Sequence, residues 1–506
     1  MQDTATIKND RQDANGNRRE VARRLLIGGQ LLEAQHTFVS LNPATGDVLG
    51  YASDASVADA EAAVAAARQA FDEGTWATDT ALRIRCLEQL HQALLDHRDE
   101  LAALTIAEVG ATESLCQGAQ LDGPIEIVRY YADLLTTYPM TEDLGNIESR
   151  GMQHHRWVEK EAAGVVAAII AYNYPNQLAL AKLAPALAAG CTVVLKSAPD
   201  TPLVTLALGE LIANHTDIPA GVVNVLSGAD PAVGVALTTS PDVDMVTFTG
   251  STPTGRAIMA AASDTLKKVF LELGGKSAAI VLDDADFNTA ALFSALSMVT
   301  HAGQGCALTS RLLVPEKHKD QIVEMVKNNF GLVRYGDPAD PKTYMGPLIS
   351  EKQRERVESY IKKGIEEGAR VVAGGGRPEG LDSGWFVQPT VFADVDNSMT
   401  IAQEEIFGPV LAVIPYEDED DAVRIANDSV YGLAGSVYTS DNDKALKIAR
   451  KIRTGTYAVN MYAFDPGAPF GGFKNSGIGR ENGPEGIEAY CEPKSILLPF
   501  GYTPAD

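Results

Sequence analysis

Between residues 164 and 273 the chain alternates short apolar runs, rich in valine and isoleucine, with stretches of helical length. Strands that are apolar throughout, with helices between them, are typical of a parallel sheet covered on both faces. Ligands of such sheets bind beyond the carboxyl ends of the strands, so the residues after each run are candidates for function. The predicted strands are Gly164–Ala171, Cys191–Ser197, Val222–Ser227, Val243–Phe248 and Val269–Leu273, and the predicted helices are Leu178–Ala189, Leu203–Asn214, Ala232–Thr239 and Thr254–Ala262.

Two helices are predicted before this sheet, and a second α/β region follows it. Val57 to Phe71 has apolar residues at heptad spacing after a capping box of Ser56 and Asp59, and Ile84 to Leu104 predicts one further helix. The acidic run 417–421 is interpreted as a solvated helix start. Beyond about Ser277, the predicted helices are Thr289–Thr300, Lys319–Phe330, Glu355–Gly368, Asp420–Ala426 and Asp443–Ile452, and the predicted strands are Arg311–Val314, Leu411–Pro415, Ala434–Thr439 and Gly455–Asn460.

Length, charge and cysteine content narrow the class of protein. A chain of 506 residues exceeds one ordinary domain, so we expect two or more packed units with a cleft between them. The net charge of −25 argues against nucleic acid and anionic membrane surfaces as partners, and no apolar run is long enough to span a membrane. The polar N-terminus lacks the apolar core of a signal peptide, which predicts a cytoplasmic protein. The five scattered cysteines and the histidine spacing argue against disulfides and a metal site.

Reactive or glycine-rich residues follow the predicted strands. Asn173, Lys196, Ser251 and Glu272 lie at strand ends, and Cys306 lies in a glycine-flanked loop. Each has a simple structural explanation when taken alone: a turn former, a surface charge, a helix start, a solvated acid or a small buried hydrophobe. The segment 250–255 does not fit Gly-x-Gly-x-x-Gly, the usual dinucleotide-binding motif. Its simple structural interpretation is a glycine turn into a helix with Thr252 as N-cap.

Taken together, these residues match the needs of aldehyde oxidation. That reaction requires a thiolate to attack the carbonyl, donors to stabilise the oxyanion, a hydride acceptor, and a base to activate water against the thioester. Cys306, Asn173, a nucleotide site on the parallel sheet and Glu272 supply one candidate for each role.

Motifs along nearly the whole chain resemble the aldehyde dehydrogenase superfamily. These motifs, in the family's order, are Tyr172-Asn173-Tyr174-Pro175, Phe248-Thr249-Gly250-Ser251-Thr252, Glu272-Leu273-Gly274-Gly275-Lys276, Gly303-Gln304-Gly305-Cys306, Glu404-Glu405-Ile406-Phe407-Gly408-Pro409 and Pro469-Phe470-Gly471-Gly472-Phe473-Lys474. The resemblance implies a Rossmann-like cofactor domain, a second α/β catalytic domain and a small β oligomerisation arm.

The resemblance also implies roles for individual residues. Cys306 is the expected nucleophile, Asn173 the oxyanion donor and Glu272 the base for hydrolysis. Lys196 is expected on the adenosine ribose and Ser251 at the pyrophosphate. The remaining cofactor contacts expected are Gly228, Gly234, Phe248, Gly250, Leu273, Glu405 and Phe407.

Two positions depart from the family pattern. Tyr172 stands where a Trp usually precedes the catalytic Asn, and Pro199 stands where a Glu often binds the ribose 2′-hydroxyl. Without that Glu, the sequence gives weaker support for strict selection of NAD over NADP. We expect NAD as cofactor, with NADP as the alternative and a smaller preference than in a relative with Glu.

The substrate wall is predicted from residues near the motifs. They are small or aromatic rather than basic, which favours medium-chain, terpenoid or aromatic aldehydes: Tyr174, Ala181, Thr300, Gly305, Ala307, Phe464 and Phe470. The alternatives are an acylating enzyme that uses coenzyme A, a cysteine hydrolase with His301 as base, and a binding protein that has kept the fold.

The expected division of the chain follows from these assignments. Residues 22–145 and 163–274 are expected to form the cofactor domain and 275–480 the catalytic domain. Residues 146–162 and 481–506 are expected to form an arm that pairs across subunits of a homodimer or homotetramer, with a local hairpin as the alternative. Residues 1–21 are expected to be flexible.

Overall fold

The computed structural model describes residues 10–12, 18–20, 22–461 and 465–502. The expectation of flexibility for residues 1–21 falls mostly outside these ranges. In chain order the strands are β1 Asp10–Gln12, β2 Arg18–Glu20, β3 Leu25–Ile27, β4 Gln30–Leu32, β5 His36–Leu41, β6 Val48–Asp54, β7 Thr141–Ser149, β8 Met152–Ala162, β9 Val165–Ile169, β10 Thr192–Lys196, β11 Val223–Leu226, β12 Met245–Thr249, β13 Lys268–Glu272, β14 Ala278–Val281, β15 Arg311–Pro315, β16 Arg370–Ala373, β17 Thr390–Ala393, β18 Val410–Tyr416, β19 Gly435–Tyr438, β20 Ala458–Val459, β21 Gly477–Ile478 and β22 Cys491–Pro499.

Helices cover both main sheets. In chain order they are α1 Val57–Glu73, α2 Thr80–Asp96, α3 Arg98–Val109, α4 Glu113–Cys116, α5 Asp122–Leu135, α6 Pro175–Ala189, α7 Pro202–His215, α8 Pro231–Thr239, α9 Thr252–Ala262, α10 Phe287–Val299, α11 Lys319–Gly331, α12 Glu351–Glu366, α13 Thr400–Gln403, α14 Glu419–Asn427, α15 Asn442–Lys451 and α16 Gly483–Ala489. Within the described ranges, no helix is both long and apolar enough to cross a membrane.

The five predicted apolar runs form the centre of the first sheet. Its order in the described chain is β21-β13-β12-β9-β10-β11-β3-β4, and the strands from β13 to β11 are parallel. The chain proceeds from β9 to β10 and β11, then crosses back to β12 and β13 on the other side of β9. This reversal opens a crevice at the carboxyl ends of β9 and β12, where ligands of such sheets bind.

The second sheet has the order β16-β17-β18-β15-β14-β19-β20 in the described residues, with all pairs parallel except β16 with β17. A third, antiparallel sheet is formed by β22, β8 and β7. It joins the two segments expected to form the arm, and its pairing lies within one chain. Pairing across subunits therefore stays a prediction.

The helix start predicted from the sequence is confirmed for α1, but a predicted helix boundary or cap is wrong for α2 with α3 and for α9. The capping box before α1 is formed by Ser56 and Asp59 as predicted. The single helix predicted from Ile84 to Leu104 is wrong, because α2 ends before His97, whose ψ of 16° breaks the helix, and α3 begins at Arg98. The N-cap of α9 is Ser251 rather than Thr252, which lies one residue inside the helix.

Candidate active site

The loop that carries Cys306 is fixed by the buried side chain of Gln304. Its Nε2 donates to the carbonyl oxygen of His301 at 3.1 Å, and its Oε1 accepts from the Ile349 amide at 3.0 Å. Gly303 has a φ of +74°, and a Cβ there would lie 2.1 Å from the Gly408 carbonyl oxygen. Only glycine can occupy this position, so the glycines of the motif shape the loop.

The Cys306 side chain is half-buried, whereas the other four cysteines are buried. Gly275 lies directly beneath it, since a Cβ there would approach the Cys306 carbonyl oxygen to 2.3 Å. Cys306 also packs against a small apolar cluster of Ala307, Leu433, Ala434 and Phe470. The thiol therefore faces an apolar wall on one side.

Glu272, the last residue of β13, interacts with the Cys306 thiol. Burial and the nearby Glu481 carboxylate raise the pKa of Glu272 to about 8, and the neighbouring Cys306 thiol partly opposes that rise. Burial and the Glu272 charge raise the pKa of the Cys306 thiol well above its usual range. At neutral pH both groups therefore favour their protonated forms, and Glu272 is the first of the two to ionise as the pH rises.

A buried ion pair stands behind Glu272. Lys182 of α6 donates to Glu481, and both side chains are almost completely removed from solvent. The Lys182 ammonium also lies 5.1 Å from the centre of the Phe270 ring. Lys182 favours the ionised form of Glu272 and Glu481 disfavours it, so the pair adjusts the base from opposite directions.

Asn173 lies after β9, at the crevice. Its Nδ2 donates to the Gln304 carbonyl oxygen at 2.9 Å, and its own carbonyl oxygen accepts from Gln120 Nε2 at 2.7 Å. One hydrogen of the amide is held by Gln304, which leaves the other for an oxygen bound near Cys306.

His301 does not support a cysteine hydrolase. Its ring lies edge-on to Tyr174, with centroids 5.2 Å apart, and burial lowers its pKa to about 4. The groups that shift the pKa of Cys306 are carboxylates, with Glu272 foremost. His301 is therefore a neutral packing residue, and Glu272 is the charged group that acts most strongly on the thiol.

One end of the crevice is built around Lys196, the last residue of β10. Its Nζ donates to the carbonyl oxygens of Ser197 at 3.1 Å and Gly228 at 3.2 Å. A Cβ at Gly234 would lie 4.0 Å from Lys196 Cδ, so Gly228 and Gly234 both border this side chain. Burial lowers the pKa of Lys196 to about 8.

The start of α9 forms the middle of the crevice. The Ser251 side chain caps the helix by accepting from Thr254 N, which leaves earlier backbone amides for an anion. A Cβ at Gly250 would lie 2.4 Å from the Phe248 ring, so this backbone is open only because residue 250 is glycine. Leu273 packs against α9 at Gly255.

Glu405 comes from the second α/β region, in the loop between α13 and β18. Its Oε1 accepts from the Gly275 amide at 2.9 Å, and a Cβ at Gly274 would collide with its carboxylate at 2.3 Å. Burial raises the pKa of Glu405 to about 7. Phe407, with a φ of +63°, meets Tyr172 edge-on at 6.0 Å.

The predicted substrate residues are mostly placed near Cys306. Tyr174 contacts His301, Ala307 and Phe470 pack with Cys306, and Gly305 directly precedes Cys306 in the chain. The Thr300 hydroxyl donates to Leu296 O at 2.7 Å, so this residue hydrogen-bonds within its own helix. Ala181 is buried within α6, and Phe464 lies outside the described residues.

Sequence reasoning missed three charged residues of the site. Lys182 and Glu481 form the buried pair behind Glu272, and Arg356 of α12 donates to the Glu405 carbonyl oxygen at 2.7 Å. A lysine inside the otherwise apolar run of α6 was the available signal, because charged residues are rarely fully buried without a partner. Among the described residues there is no group of three side chains suited to a metal ion.

Comparisons with known proteins agree with this geometry. The model of the aldehyde dehydrogenase family matches residues 31–496. An aldehyde dehydrogenase from Mycobacterium tuberculosis, solved with NAD⁺, is 51% identical with a TM-score of 0.91, over 95% of this chain and 99% of that one. A variant of aldehyde dehydrogenase C from Pseudomonas syringae, solved with NAD⁺ and octanal, is 38% identical with a TM-score of 0.90, over 99% of this chain and all of that one. Betaine aldehyde dehydrogenase from Staphylococcus aureus, solved with NAD⁺, is 37% identical with a TM-score of 0.91, over 95% of each chain.

Proposed function

The chain belongs to the aldehyde dehydrogenase family, and from that premise we propose that it oxidises an apolar aldehyde to its carboxylic acid with NAD as cofactor. The observation that carries the proposal is the convergence of a half-buried thiol, Cys306, a buried carboxyl group, Glu272, and the side-chain amide of Asn173, which is bonded to the loop of Cys306. Nucleophile, base and oxyanion donor are the groups that the reaction needs.

The first step is attack of Cys306 Sγ on the aldehyde carbonyl. The thiol proton passes to the Glu272 carboxylate, a carbon–sulfur bond forms, and the carbonyl oxygen becomes the oxyanion of a thiohemiacetal. The free amide hydrogen of Asn173 and the Cys306 backbone N–H stabilise that oxygen. Asn173 is held for this task by Gln304 and Gln120.

NAD, when bound, accepts the hydride that converts the thiohemiacetal into a thioester. Glu272 first releases to solvent the proton that it received from the thiol, and its carboxylate then takes a proton from water as the water attacks the thioester carbonyl. The carbon–sulfur bond breaks, and Cys306 leaves as thiolate and is reprotonated. The elevated pKa of Glu272 suits a base that takes up a proton and releases it near neutral pH.

The residues of the crevice fit a dinucleotide. Gly250 and Gly274 keep the backbone open where a side chain would collide with Phe248 or Glu405. Lys196 would bind adenosine ribose hydroxyls beside Gly228 and Gly234, and the amides after Ser251 would receive the pyrophosphate. Glu405 would bind the nicotinamide ribose and Phe407 would flank the ring.

An apolar aldehyde is supported by the cluster of Ala307, Leu433, Ala434 and Phe470 around Cys306. The Pseudomonas relative was solved with octanal, a medium-chain aldehyde, whereas the Staphylococcus relative is named for a cationic one. The wall around Cys306 favours medium-chain, terpenoid or aromatic substrates. A panel of octanal, benzaldehyde, betaine aldehyde and succinate semialdehyde, ranked by kcat/KM, tests this choice.

The domain assignment and the assembly belong to the same proposal. Residues 22–145 and 163–274 would form the cofactor domain and 275–480 the catalytic domain. Residues 146–162 and 481–506 would form the arm of a homodimer or homotetramer, of which 503–506 lie outside the described residues.

The purified protein, octanal and NAD provide the main test. Absorbance of reduced nicotinamide at 340 nm should rise without coenzyme A, and octanoic acid should accumulate in equal amount. A requirement for coenzyme A would identify an acylating enzyme instead. Hydrolysis of an ester without any cofactor turnover would support a hydrolase, and binding of NAD without turnover of any aldehyde would support a binding protein.

A further inference from the structure

At the end of the crevice that is proposed to bind adenosine, Pro199 provides no negative charge. It lies three residues after Lys196, where relatives with a glutamate would place a carboxylate beside the ribose. A 2′-phosphate carries negative charge, so rejection of NADP requires an anionic or tightly closed group nearby. Another residue of this chain must supply that group if NAD is selected.

Asp54, the last residue of β6, lies at this end of the crevice although it is far away in sequence. Its Oδ1 accepts from the Ala229 amide at 2.9 Å, while Lys196 Nζ binds the carbonyl oxygen of the neighbouring Gly228. Two further bonds fix the position of the segment: Ala55 N donates to Ser227 O at 2.9 Å, and Ser227 Oγ donates to Ser53 O at 2.5 Å. Asp54 and Lys196 therefore bracket one turn.

The Asp54 charge acts on Lys196. It is the carboxylate that favours the charged form of the Lys196 side chain and opposes the effect of burial on its pKa. Lys196 nevertheless makes its hydrogen bonds to two carbonyl oxygens, so it does not neutralise Asp54 by a direct contact. Asp54 is also partly exposed, and its second oxygen is not held by Ala229.

We propose that Asp54 is the specificity-determining carboxylate of this protein: it disfavours a 2′-phosphate next to Lys196 and so replaces the acid that is missing at Pro199. The inference rests on the proposed use of Lys196 as the ribose ligand. A phosphate attracted to the Lys196 ammonium would have to approach Asp54 as well, because the two side chains hold adjacent peptide units. A ribose hydroxyl is neutral and meets no such repulsion.

Asp200 is the competing carboxylate, and its surroundings differ. The Asp200 charge contributes to the raised pKa of Tyr172. Burial raises the pKa of Asp200 itself, and Lys352 of α12 partly opposes that rise. Asp200 is not among the charged groups that shift the pKa of Lys196, whereas Asp54 is. Asp200 therefore acts electrostatically on Tyr172 and Lys352, whereas Asp54 acts on Lys196.

Direct binding by calorimetry, without aldehyde, tests the assignment. The dissociation constants of NAD and NADP are measured for the wild type, Asp54→Asn, Asp54→Glu and Asp200→Asn. Asparagine keeps an acceptor for the Ala229 amide but has no charge, so Asp54→Asn should improve the affinity for NADP relative to NAD by about ten-fold or more. Asp54→Glu should keep the wild-type ratio, and Asp200→Asn should change it by less than about two-fold.

Two results would overturn the inference while leaving the proposed function intact. One is a wild type that binds NAD, with an Asp54→Asn variant whose ratio is unchanged. The other is a shift of the ratio in Asp200→Asn alone. A wild type that binds neither dinucleotide would remove the proposed cofactor, and this inference with it. Higher ionic strength should shrink the effect of Asp54→Asn, since a charge that is partly exposed is screened by salt.

Discussion

The side-chain amide of Asn173 donates a hydrogen bond to the backbone carbonyl oxygen of Gln304, 2.9 Å away, and so joins the end of β9 to the loop that carries Cys306. The bond crosses 131 residues of sequence and links the two halves of the site. It orients one amide hydrogen, and the proposed mechanism uses the other for the substrate oxygen.

Asn173→Ala should therefore lower kcat by about 10²–10³-fold, because one oxyanion donor is lost. The dissociation constant for NAD should change little. Asn176→Ala provides a matched control, since Asn176 is another buried asparagine of the same segment but bonds to Thr105 and Gln120. Equal losses of kcat in the two variants would mean that Asn173 acts only through stability, which thermal unfolding would reveal.

Cys306→Ala should abolish aldehyde oxidation and leave NAD binding in place. The other cysteines are buried, so a small alkylating agent should label the folded wild type at Cys306 first and inactivate it. Labelling should accelerate at high pH, because the pKa of the thiol is raised. Cys86→Ala serves as the control, and comparable activity in Cys306→Ala would exclude the thiol from the mechanism.

The sequence predicted the first sheet because its strands are apolar along their whole length. The chemistry at the strand ends was also visible, since Asn173, Lys196 and Glu272 interrupt apolar runs. The ion pair of Lys182 and Glu481 was out of reach, because its members lie 299 residues apart and nothing local specifies their contact.

The break between α2 and α3 was missed for a different reason. Leucines and alanines continue at helical spacing on both sides of His97, so the hydrophobic pattern alone does not show where one helix ends. The acids Asp99 and Glu100, which suit the first turn of a new helix, were the available sign. The roles of Cys306, Glu272 and Asn173 stay predictions, which the experiments above address.

Glu272→Gln should slow release of the acid more than formation of reduced cofactor. Stopped-flow absorbance should then show a burst of reduced nicotinamide followed by slow turnover, since the base acts on the water that attacks the thioester. In the wild type the slow step should accelerate as pH rises through about 8, where Glu272 ionises, and the variant should lack this rise. Loss of the burst while Cys306 still reacts with an alkylating agent would assign Glu272 to the first step instead.

The raised pKa of Glu272 also predicts that the stability of the fold depends on pH. The pKa of Glu272 is about 8 in the folded protein, compared with an ordinary value of 4.5. The contribution of this group to the free energy of unfolding is therefore most favourable below pH 4.5. Between about pH 4.5 and pH 8 the unfolded chain releases this proton while the folded protein keeps it, so the free energy of unfolding falls across that range and levels off above it. Glu272→Gln removes that loss, so the variant should unfold at a higher temperature than the wild type at pH 9, with a smaller difference at pH 6. An equal difference at both pH values would contradict this linkage.

The three-stranded sheet of β7, β8 and β22 exposes apolar side chains, among them Met152, Leu497 and Phe500. Its outer strands also carry backbone groups that invite a further partner. We expect a dimer or tetramer by light scattering at micromolar concentration, and Leu497→Arg should shift it towards smaller species. Leu332→Arg, at an exposed leucine of the second α/β region, is the control. A monomeric wild type would rule out the arm.

The last prediction concerns Pro199, which is exposed beside the start of α7. Glutamate there would lie near a helix N-terminus, where negative charge is favourable, so Pro199→Glu should fold normally. It should weaken NADP binding by about ten-fold and tighten NAD binding by a smaller factor, because a carboxylate can accept from a ribose hydroxyl and repel a phosphate. Pro199→Gln, which matches the size without the charge, should leave NADP binding near the wild-type value. The double variant Asp54→Asn/Pro199→Glu is the most informative, since a carboxylate at position 199 should restore the repulsion that Asp54→Asn removes. Its ratio of NADP to NAD affinity should return towards the wild type from the raised value of Asp54→Asn. If Pro199→Glu leaves the ratio unchanged in both backgrounds, position 199 does not face the ribose in this protein, and Lys196 must lie closer to another part of the cofactor.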